Sequence, residues 1–220
     1  MPIRFVAPGL PSRKFLAQYE VRVFELGEVQ TRPDNWHDLF NALVWLTFPK
    51  TKAILNAHHY REICSRRGKS HRGTARDVLT LFDEGGVIVA AAGPELPALL
   101  REFRWKELFW RRRADVLRLM RYHVFGHAIY EKALEPYPGV TAKALILEVP
   151  RTLLDAPLAR QLAELDARAA DYFRSETSLA STRVLPPLPV LGVPGWAAGN
   201  ETEAYYDDVS QFRPGRRSAP

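Results

Sequence analysis

The sequence has little cysteine and no long apolar run. Cys64 is the single cysteine among 220 residues, so no disulfide can form within the chain and stability does not depend on an oxidising compartment. The longest apolar stretches, ALVWLTF and VIVAAA, fall far short of the roughly 20 residues that span a bilayer. The N-terminal residues include prolines and arginines where a signal peptide needs an unbroken apolar core. We therefore expect a cytoplasmic protein without a transmembrane segment.

Three catalytic signatures are also missing. The GKS triplet that begins at Gly68 is not a phosphate loop, because such a loop needs a glycine at position 63, where Ile63 stands inside a predicted helix. No HExxH occurs, and one cysteine excludes a cysteine-rich zinc site. No G-x-S-x-G marks a serine nucleophile. The sequence names no cofactor, and it leaves a divalent metal open only where the fold unites His37, His127 and a carboxylate.

The composition is that of an ordinary folded protein. Apolar residues make up 46% of the chain and charged residues 25%. The 31 basic and 25 acidic residues give a net charge of +6, which slightly favours acidic or polyanionic partners. The length suits one large domain, with or without an irregular extension.

Two helices are predicted in the first third of the chain. The first runs from about Asn35 to Thr47, because a short polar side chain at 34 or 35 can cap it and Pro49 ends it. It is apolar almost all round, which is typical of an interior helix. The second helix begins near Pro49 and extends to Gly68. The apolar residues of 1–31 follow neither the helical nor the strand period, and we interpret this segment as extended or irregular.

The strand signals predict an α+β fold. A hairpin is expected near 78–92, because two β-rich runs flank Gly85 and Gly86, and further strands near 121–126 and 141–149. These strands predict a small, mostly antiparallel sheet packed by several helices. Residues 1–180 form the predicted domain. Residues 181–214 are rich in proline and glycine yet keep large apolar side chains, so we expect an ordered irregular wrap, followed by a flexible tail over 215–220.

Several stretches together resemble a known family. They are VRVFELGEVQTRPDNWHDLFNALVWLTFPKTK, LTLFDEGGVIVA, WKELFWRRR, VFGHAIYEKALEPYPGVTAKAL, PPLPVLGVPGW and YYDD…FRP, in this order along nearly the whole chain. They resemble the bacterial DUF3025 family of uncharacterised proteins. The resemblance implies a bacterial, stand-alone protein and brings no catalytic residues with it.

The strongest candidate catalytic residues are polar groups at the starts of two helices. His37 and Asn41 lie on one stripe of the first helix, whose positive N-terminal end disfavours a charged imidazole and so suits a neutral base. His127 and Glu131 are spaced four apart, so they share a helix face after Gly126. Asp83, at the end of the expected hairpin's first strand, is a third candidate. In each case a purely structural role in capping, turn formation or core packing is the alternative.

These residues suggest an enzyme, a hydrolase or transferase that acts on a phosphate-bearing small molecule or nucleotide. His37 would be the general base, Asn41 and the helix N-terminus would hold an anion, and Lys50 or Arg72 would neutralise its charge. Two alternatives stay open. A nucleic-acid-binding protein would use basic residues of two clusters, namely Arg66, Arg67, Lys69, Arg72, Arg111, Arg112 and Arg113. A protein–protein interaction module would use the proline-rich segment or the WKELFWRRR helix. The sequence does not indicate the oligomeric state.

Overall fold

The computed structural model of the chain describes residues 2–9, 14–65 and 74–215. Two predicted segments therefore lie outside the described residues: the basic loop at 66–73, with Arg66, Arg67, Lys69 and Arg72, and the end of the expected tail at 216–220.

A four-stranded mixed sheet forms the centre of the fold. Its order is β4-β3-β5-β6, from β3 (Gly86–Ala91), β4 (Met120–Val124), β5 (Thr141–Glu148) and β6 (Pro187–Pro189). β3 pairs antiparallel with β4 and parallel with β5, and β5 pairs antiparallel with β6. All six residues of β3 are buried, because helices cover both faces of the sheet. Two short parallel strands, β1 (Arg4–Val6) and β2 (Glu28–Gln30), form a separate pair.

Helices surround this sheet, which confirms the predicted α+β class. Their bounds are α1 Tyr19–Leu26, α2 Trp36–Thr47, α3 Pro49–Ser65, α4 Thr74–Gly85, α5 Glu95–Arg101, α6 Arg113–Leu119, α7 His127–Leu134, α8 Arg151–Leu154 and α9 Leu158–Arg174. A π-helical turn at Glu107–Arg111 precedes α6, and short 3-10 turns lie between α9 and β6 and after β6.

The predicted hairpin near 78–92 is wrong in its first half. Residues 74–85 form α4, and only β3 is a strand. The buried side chains of α4 are Val78, Leu79 and Phe82, which share a face at helical spacing. Gly86 serves close packing rather than a hairpin turn, because a Cβ there would lie 2.4 Å from the carbonyl oxygen of Phe82.

Residues 19–26, expected to be extended or irregular, form the helix α1 instead. The helix ends at Gly27, which has a φ of 66° and donates its N–H to the carbonyl oxygen of Val23. A glycine in this left-handed conformation is a common helix terminator. The helical period was obscured because the buried residues of α1 are Val21 and Val23, two apart.

The predicted first helix is confirmed as α2. Asn35 caps it, and its side chain accepts a hydrogen bond from the backbone N–H of Asp38 at 2.9 Å. Its predicted interior position is wrong, because only the stripe with Asn41, Val44 and Trp45 is buried together with Ala42. The opposite face is exposed and carries four large apolar side chains: Trp36 at 58% exposure, Leu39 at 42%, Leu43 at 47% and Leu46 at 64%.

Alternate residues of β3 point to opposite faces of the sheet and belong to two different hydrophobic cores. Val87, Val89 and Ala91 pack with α5, the π-helical turn and the C-terminal segment. Ile88 and Ala90 pack on the other side, with α2, α3, α4 and α9. This alternation follows from the period of two in a strand.

The C-terminal segment packs on the first core through Leu188, Val190, Val193, Tyr206 and Phe212. Its turn is held by Asn200, which is fully buried and donates to the carbonyl oxygens of Leu191 and Val193.

Candidate functional site

The structure brings His37, His127 and Glu131 together. His37 lies in the first turn of α2 and His127 is the first residue of α7, which packs against α2. The Nε2 atoms of the two histidines lie 3.0 Å apart. On the other side of the His37 ring, Nδ1 lies 3.0 Å from Glu131 Oε2.

Glycine at position 126 permits this placement. A Cβ there would lie 2.4 Å from the carbonyl oxygen of Glu84 and 2.5 Å from the backbone nitrogen of Gly86. The turn before α7 therefore presses against the end of α4, and this contact sets His127 beside Asp83, the carboxylate of that helix end.

One arrangement of protons, with both rings neutral, satisfies the two contacts of the histidine pair. In it Glu131 accepts from His37 Nδ1–H and His37 Nε2 carries a lone pair. His127 Nε2–H donates to that lone pair. Burial lowers the pKa of His127 to about 4, against the opposing attraction of Asp83, so this ring is neutral near pH 7. His37 is 41% exposed and can be reached by a ligand.

A buried ion pair lies behind the histidines. Lys52 Nζ donates to Asp83 Oδ1 at 2.6 Å and to Asn41 Oδ1 at 2.8 Å. Burial acts to lower the pKa of Lys52, but attraction to Asp83 outweighs it and the pKa is raised. For Asp83 burial acts upward, yet Lys52 brings the pKa of the carboxyl below its usual value. Both groups are therefore charged near neutral pH.

Asn41 extends this network toward α1. Its Nδ2 donates to the hydroxyl of Tyr19 at 2.8 Å, and Trp45 Nε1 donates to the same oxygen at 3.2 Å. With its carbonyl accepting from Lys52, the Asn41 amide is engaged at both ends. Asn41 therefore positions Tyr19 and Lys52, and it is not a free anion ligand as the sequence suggested.

Glu20 adds a carboxyl with an unusual pKa. Burial, followed by repulsion from Asp83, raises its pKa to about 7, although Asn56 donates to it at 2.6 Å. A carboxyl group that titrates near neutral pH is suited to proton transfer.

The start of α3, which carries Lys52, is held from α9. The backbone N–H groups of Lys50 and Thr51 donate to the two carboxylate oxygens of Asp166, at 3.0 and 2.8 Å. The Thr51 hydroxyl donates to the same carboxylate at 2.8 Å. Asp166 thus satisfies the free donors of the first turn of α3, the role of a capping residue, from 115 residues away.

These groups surround an open pocket of about 430 Å³, here called the histidine pocket. Its lining residues come from the N-terminal region, α1, α2, the end of α4 and the start of α7: Pro8, Tyr19, Glu20, Gln30, Arg32, His37, Asp38, Asn41, Asp83, Glu84 and His127. Arg32 donates to both carboxylate oxygens of Asp38, at 2.8 and 2.9 Å, so the charges of this pair are matched.

Two further residues, Lys50 and Arg72, were expected to neutralise charge at the site. Lys50 is exposed and does not line the histidine pocket, and Arg72 lies outside the described residues. In the arginine cluster, Arg111 pairs with Glu107 and Arg112 with Asp115 and Glu95.

The third arginine of that cluster donates to a backbone oxygen: Arg113 Nη1 lies 2.8 Å from the carbonyl oxygen of Asn200. Trp105, which precedes this cluster, is buried and donates its Nε1–H to the carbonyl oxygen of Arg213. The described part of the chain therefore gives no support to an open nucleic-acid surface at 111–113.

Sequence reasoning missed Lys52, Tyr19 and Glu20. Nothing in the KTK run indicates that Lys52 is buried. Tyr19 and Glu20 were missed because α1, which carries them, was not predicted as a helix. Metal ligation gains no support from the described ranges, in which no group of three or more His, Cys, Asp or Glu side chains is arranged to hold a metal ion. Of the two carboxylates at 207 and 208, the first pairs with Lys106 and the second accepts from Ser210.

The fold is that of an α+β protein, and it places a histidine–carboxylate cluster on the wall of an open pocket. The chain belongs to the DUF3025 family, described as a protein of unknown function, whose model matches residues 3–216. Neither the curated proteins nor the solved structures gave a match to the chain. Within residues 2–9, 14–65 and 74–215, no helix is long and apolar enough to cross a bilayer.

Proposed function

We propose that this protein is an enzyme, a hydrolase or transferase, that uses general acid–base catalysis in the histidine pocket. The observation that carries the proposal is the contact chain from Glu131 to His37 to His127 on the wall of an open pocket. A base oriented by a carboxylate and reachable by a ligand is the usual arrangement for removing a proton from a nucleophile.

The proton steps follow from the tautomers. Because the two Nε2 atoms are in direct contact at 3.0 Å, the rings must first separate. A water or substrate hydroxyl that then takes the place of this contact gives its proton to His37 Nε2 as its oxygen attacks the substrate. The same oxygen accepts a hydrogen bond from the neutral His127. Glu131 stabilises the imidazolium that forms on His37. When the bond to the leaving group breaks, His37 returns the proton to the leaving group, and the histidine pair is restored.

The lining charges restrict the reacting part of the substrate. The two cations in the pocket region are each paired, Arg32 with Asp38 and Lys52 with Asp83. Glu84 adds a carboxylate and Glu20 an ionisable carboxyl. A phosphate would therefore be repelled from the histidine pocket, and a neutral acyl or glycosyl group is favoured there. A nucleotide or other phosphate-bearing substrate would have to bind its phosphates with residues outside this pocket.

Activity can be sought on p-nitrophenyl esters, p-nitrophenyl glycosides and nucleoside triphosphates. For the substrate that turns over, His37→Gln should lower kcat by about a hundredfold or more, because the base is lost. Glu131→Gln should lower kcat less, since the ring remains but its orientation and charge stabilisation weaken. Glu135→Gln is the matched control, because Glu135 is exposed just beyond the end of the same helix. Turnover that survives His37→Gln unchanged would refute the proposal.

A further inference from the structure

A second and larger concavity lies near β6, the edge strand opposite β4. It has a volume of about 1140 Å³ and is bounded by the residues after α5, the start of β5, residues 182–189 and residues 211–214. Here it is called the cationic groove. Pairing of Thr141 and Lys143 with Pro189 and Pro187 places the start of β5 beside the edge strand β6.

The charge of this groove is of one sign. Arg101, Lys143, Arg183 and Arg213 line it, and none of its lining residues is an Asp or Glu. None of the four cations makes an ion pair with a described residue. Within the described part of the chain, Arg213 donates only to the backbone carbonyl oxygen of Ser210. By contrast, Arg32, Lys52, Arg112 and Arg118 each pair with a carboxylate. Four neighbouring cations without carboxylates repel one another, and an anionic ligand relieves that repulsion.

Lys143 shows the lack of a counter-ion most directly. It is half-buried on β5, and burial lowers its pKa with no carboxylate acting in the opposite direction. Lys52, also buried, has a raised pKa because Asp83 is in contact. The ammonium group of Lys52 is thus kept charged by a protein carboxylate, whereas that of Lys143 has no such partner among the described residues.

Two further features of the groove are unusual for a purely structural surface. Gln211 is 5% exposed, and its Nε2 finds no hydrogen-bond partner in the part of the chain that the structure describes. A buried amide without a partner is costly unless another molecule supplies the acceptor. Phe103 has a φ of 60°, a strained conformation for a bulky residue, and such strain is concentrated at binding sites.

We propose that the cationic groove binds a nucleotide, with the four cations on its phosphates and its base beside Phe103, which lines the groove. Phosphate groups accept hydrogen bonds from arginine and lysine and need no carboxylate nearby. A concavity of this size encloses a small molecule. Among the residues that the structure describes, the arginines at 111–113 are tied to protein partners and so do not extend the groove as a basic track for a polymer. The inference does not depend on the histidine pocket.

The test is isothermal titration of the full chain with four probes: ATP, pyrophosphate, adenosine and a ten-nucleotide oligothymidine. ATP should bind, pyrophosphate should bind more weakly, and adenosine should not bind measurably. Raising the salt from about 50 to 300 mM should weaken ATP binding, because the phosphate contacts are electrostatic. Adenosine binding as tightly as ATP would overturn phosphate recognition, and absence of ATP binding would overturn the nucleotide. Oligothymidine binding in place of ATP would show a nucleic-acid site instead.

Variants locate the binding site. Lys143→Gln and Arg101→Gln should each weaken ATP binding about tenfold, the range expected for one charge-assisted phosphate contact. Arg101 is exposed at the end of α5, so its replacement leaves the fold intact. Arg168→Gln removes the same charge from α9, outside the groove, and should leave the Kd unchanged. Equal Kd values for all three variants would reject the groove.

His37→Gln should bind ATP as the wild type does. A normal ATP Kd in a variant that has lost turnover would support the groove and the histidine pocket as separate sites, whereas loss of ATP binding in His37→Gln would overturn their independence.

Discussion

Two side chains of the histidine pocket, His127 and Glu20, make the stability of the fold depend on pH. His127 has a folded-state pKa of about 4, below its usual value, so the unfolded chain takes up its proton first as pH falls. This group therefore costs stability between about pH 6.5 and 4. Glu20 acts in the opposite direction. Its folded-state pKa of about 7 lies above its usual value, so the folded chain holds the proton more tightly and gains stability as pH falls from 7 to 4.5.

Because these two effects oppose each other, Glu20→Gln should reveal the His127 effect. In that variant the free energy of unfolding should fall by at most about 3 kcal/mol between pH 7 and pH 4.5. Combining it with His127→Asn should remove most of that fall. Urea unfolding at four pH values measures both. A steeper pH dependence in the double variant than in Glu20→Gln would contradict the assignment.

The buried pair of Lys52 and Asp83 gives a second expectation at this scale. Lys52→Met should destabilise the fold by about 3–5 kcal/mol, because it leaves the Asp83 carboxylate buried without its cation. Adding Asp83→Asn should restore part of that loss by removing the stranded charge. Urea unfolding of the two variants provides the measurement, and equal stabilities would show that the pair is not coupled.

At the scale of elements, the contact between the end of α4 and the start of α7 sets the site. Gly126→Ala should cost about 2 kcal/mol or more and displace His127, because the new methyl would meet backbone atoms that cannot rotate away. Gly85→Ala is the matched control, since nothing lies within 4 Å of its added Cβ. We expect that control to be neutral or slightly stabilising. Thermal melting followed by circular dichroism compares them, and equal melting temperatures would show that the close approach is not required.

The elements also show which parts of the fold the sequence could predict. Both ends of α2 could be predicted, because Asn35 at its start and Pro49 after its end act locally on the backbone. The two histidines were found as candidates because each follows a helix-start signal. The prediction of a strand over α4 was wrong because glycines at 85 and 86 also fit a hairpin turn. Only the pairing of the strands in the sheet distinguishes a hairpin from a helix followed by a strand. Lys52, Tyr19 and Glu20 could not be found, since their burial comes from packing between α1, α2 and α3.

At the scale of the whole molecule, the candidate site depends on contacts between distant parts of the chain. His37 and His127 are 90 residues apart, and the carboxylate that caps α3 is 115 residues from it. Asp166→Ala should therefore lower stability by about 1–2 kcal/mol and also disturb the position of Lys52, although Asp166 does not line the pocket. Urea unfolding together with the chemical shift of the Lys52 ammonium protons tests this. An unchanged shift would show that α3 keeps its place without the cap.

The exposed apolar face of α2 has a practical consequence for such measurements. The native state exposes a hydrophobic strip to solvent, made of Trp36, Leu39, Leu43 and Leu46. Dyes that report unfolding by binding exposed hydrophobic surface should therefore already fluoresce strongly before the protein is heated. Melting curves recorded with such dyes would then start from a high baseline and understate the transition, whereas circular dichroism reads the backbone and is unaffected by the strip.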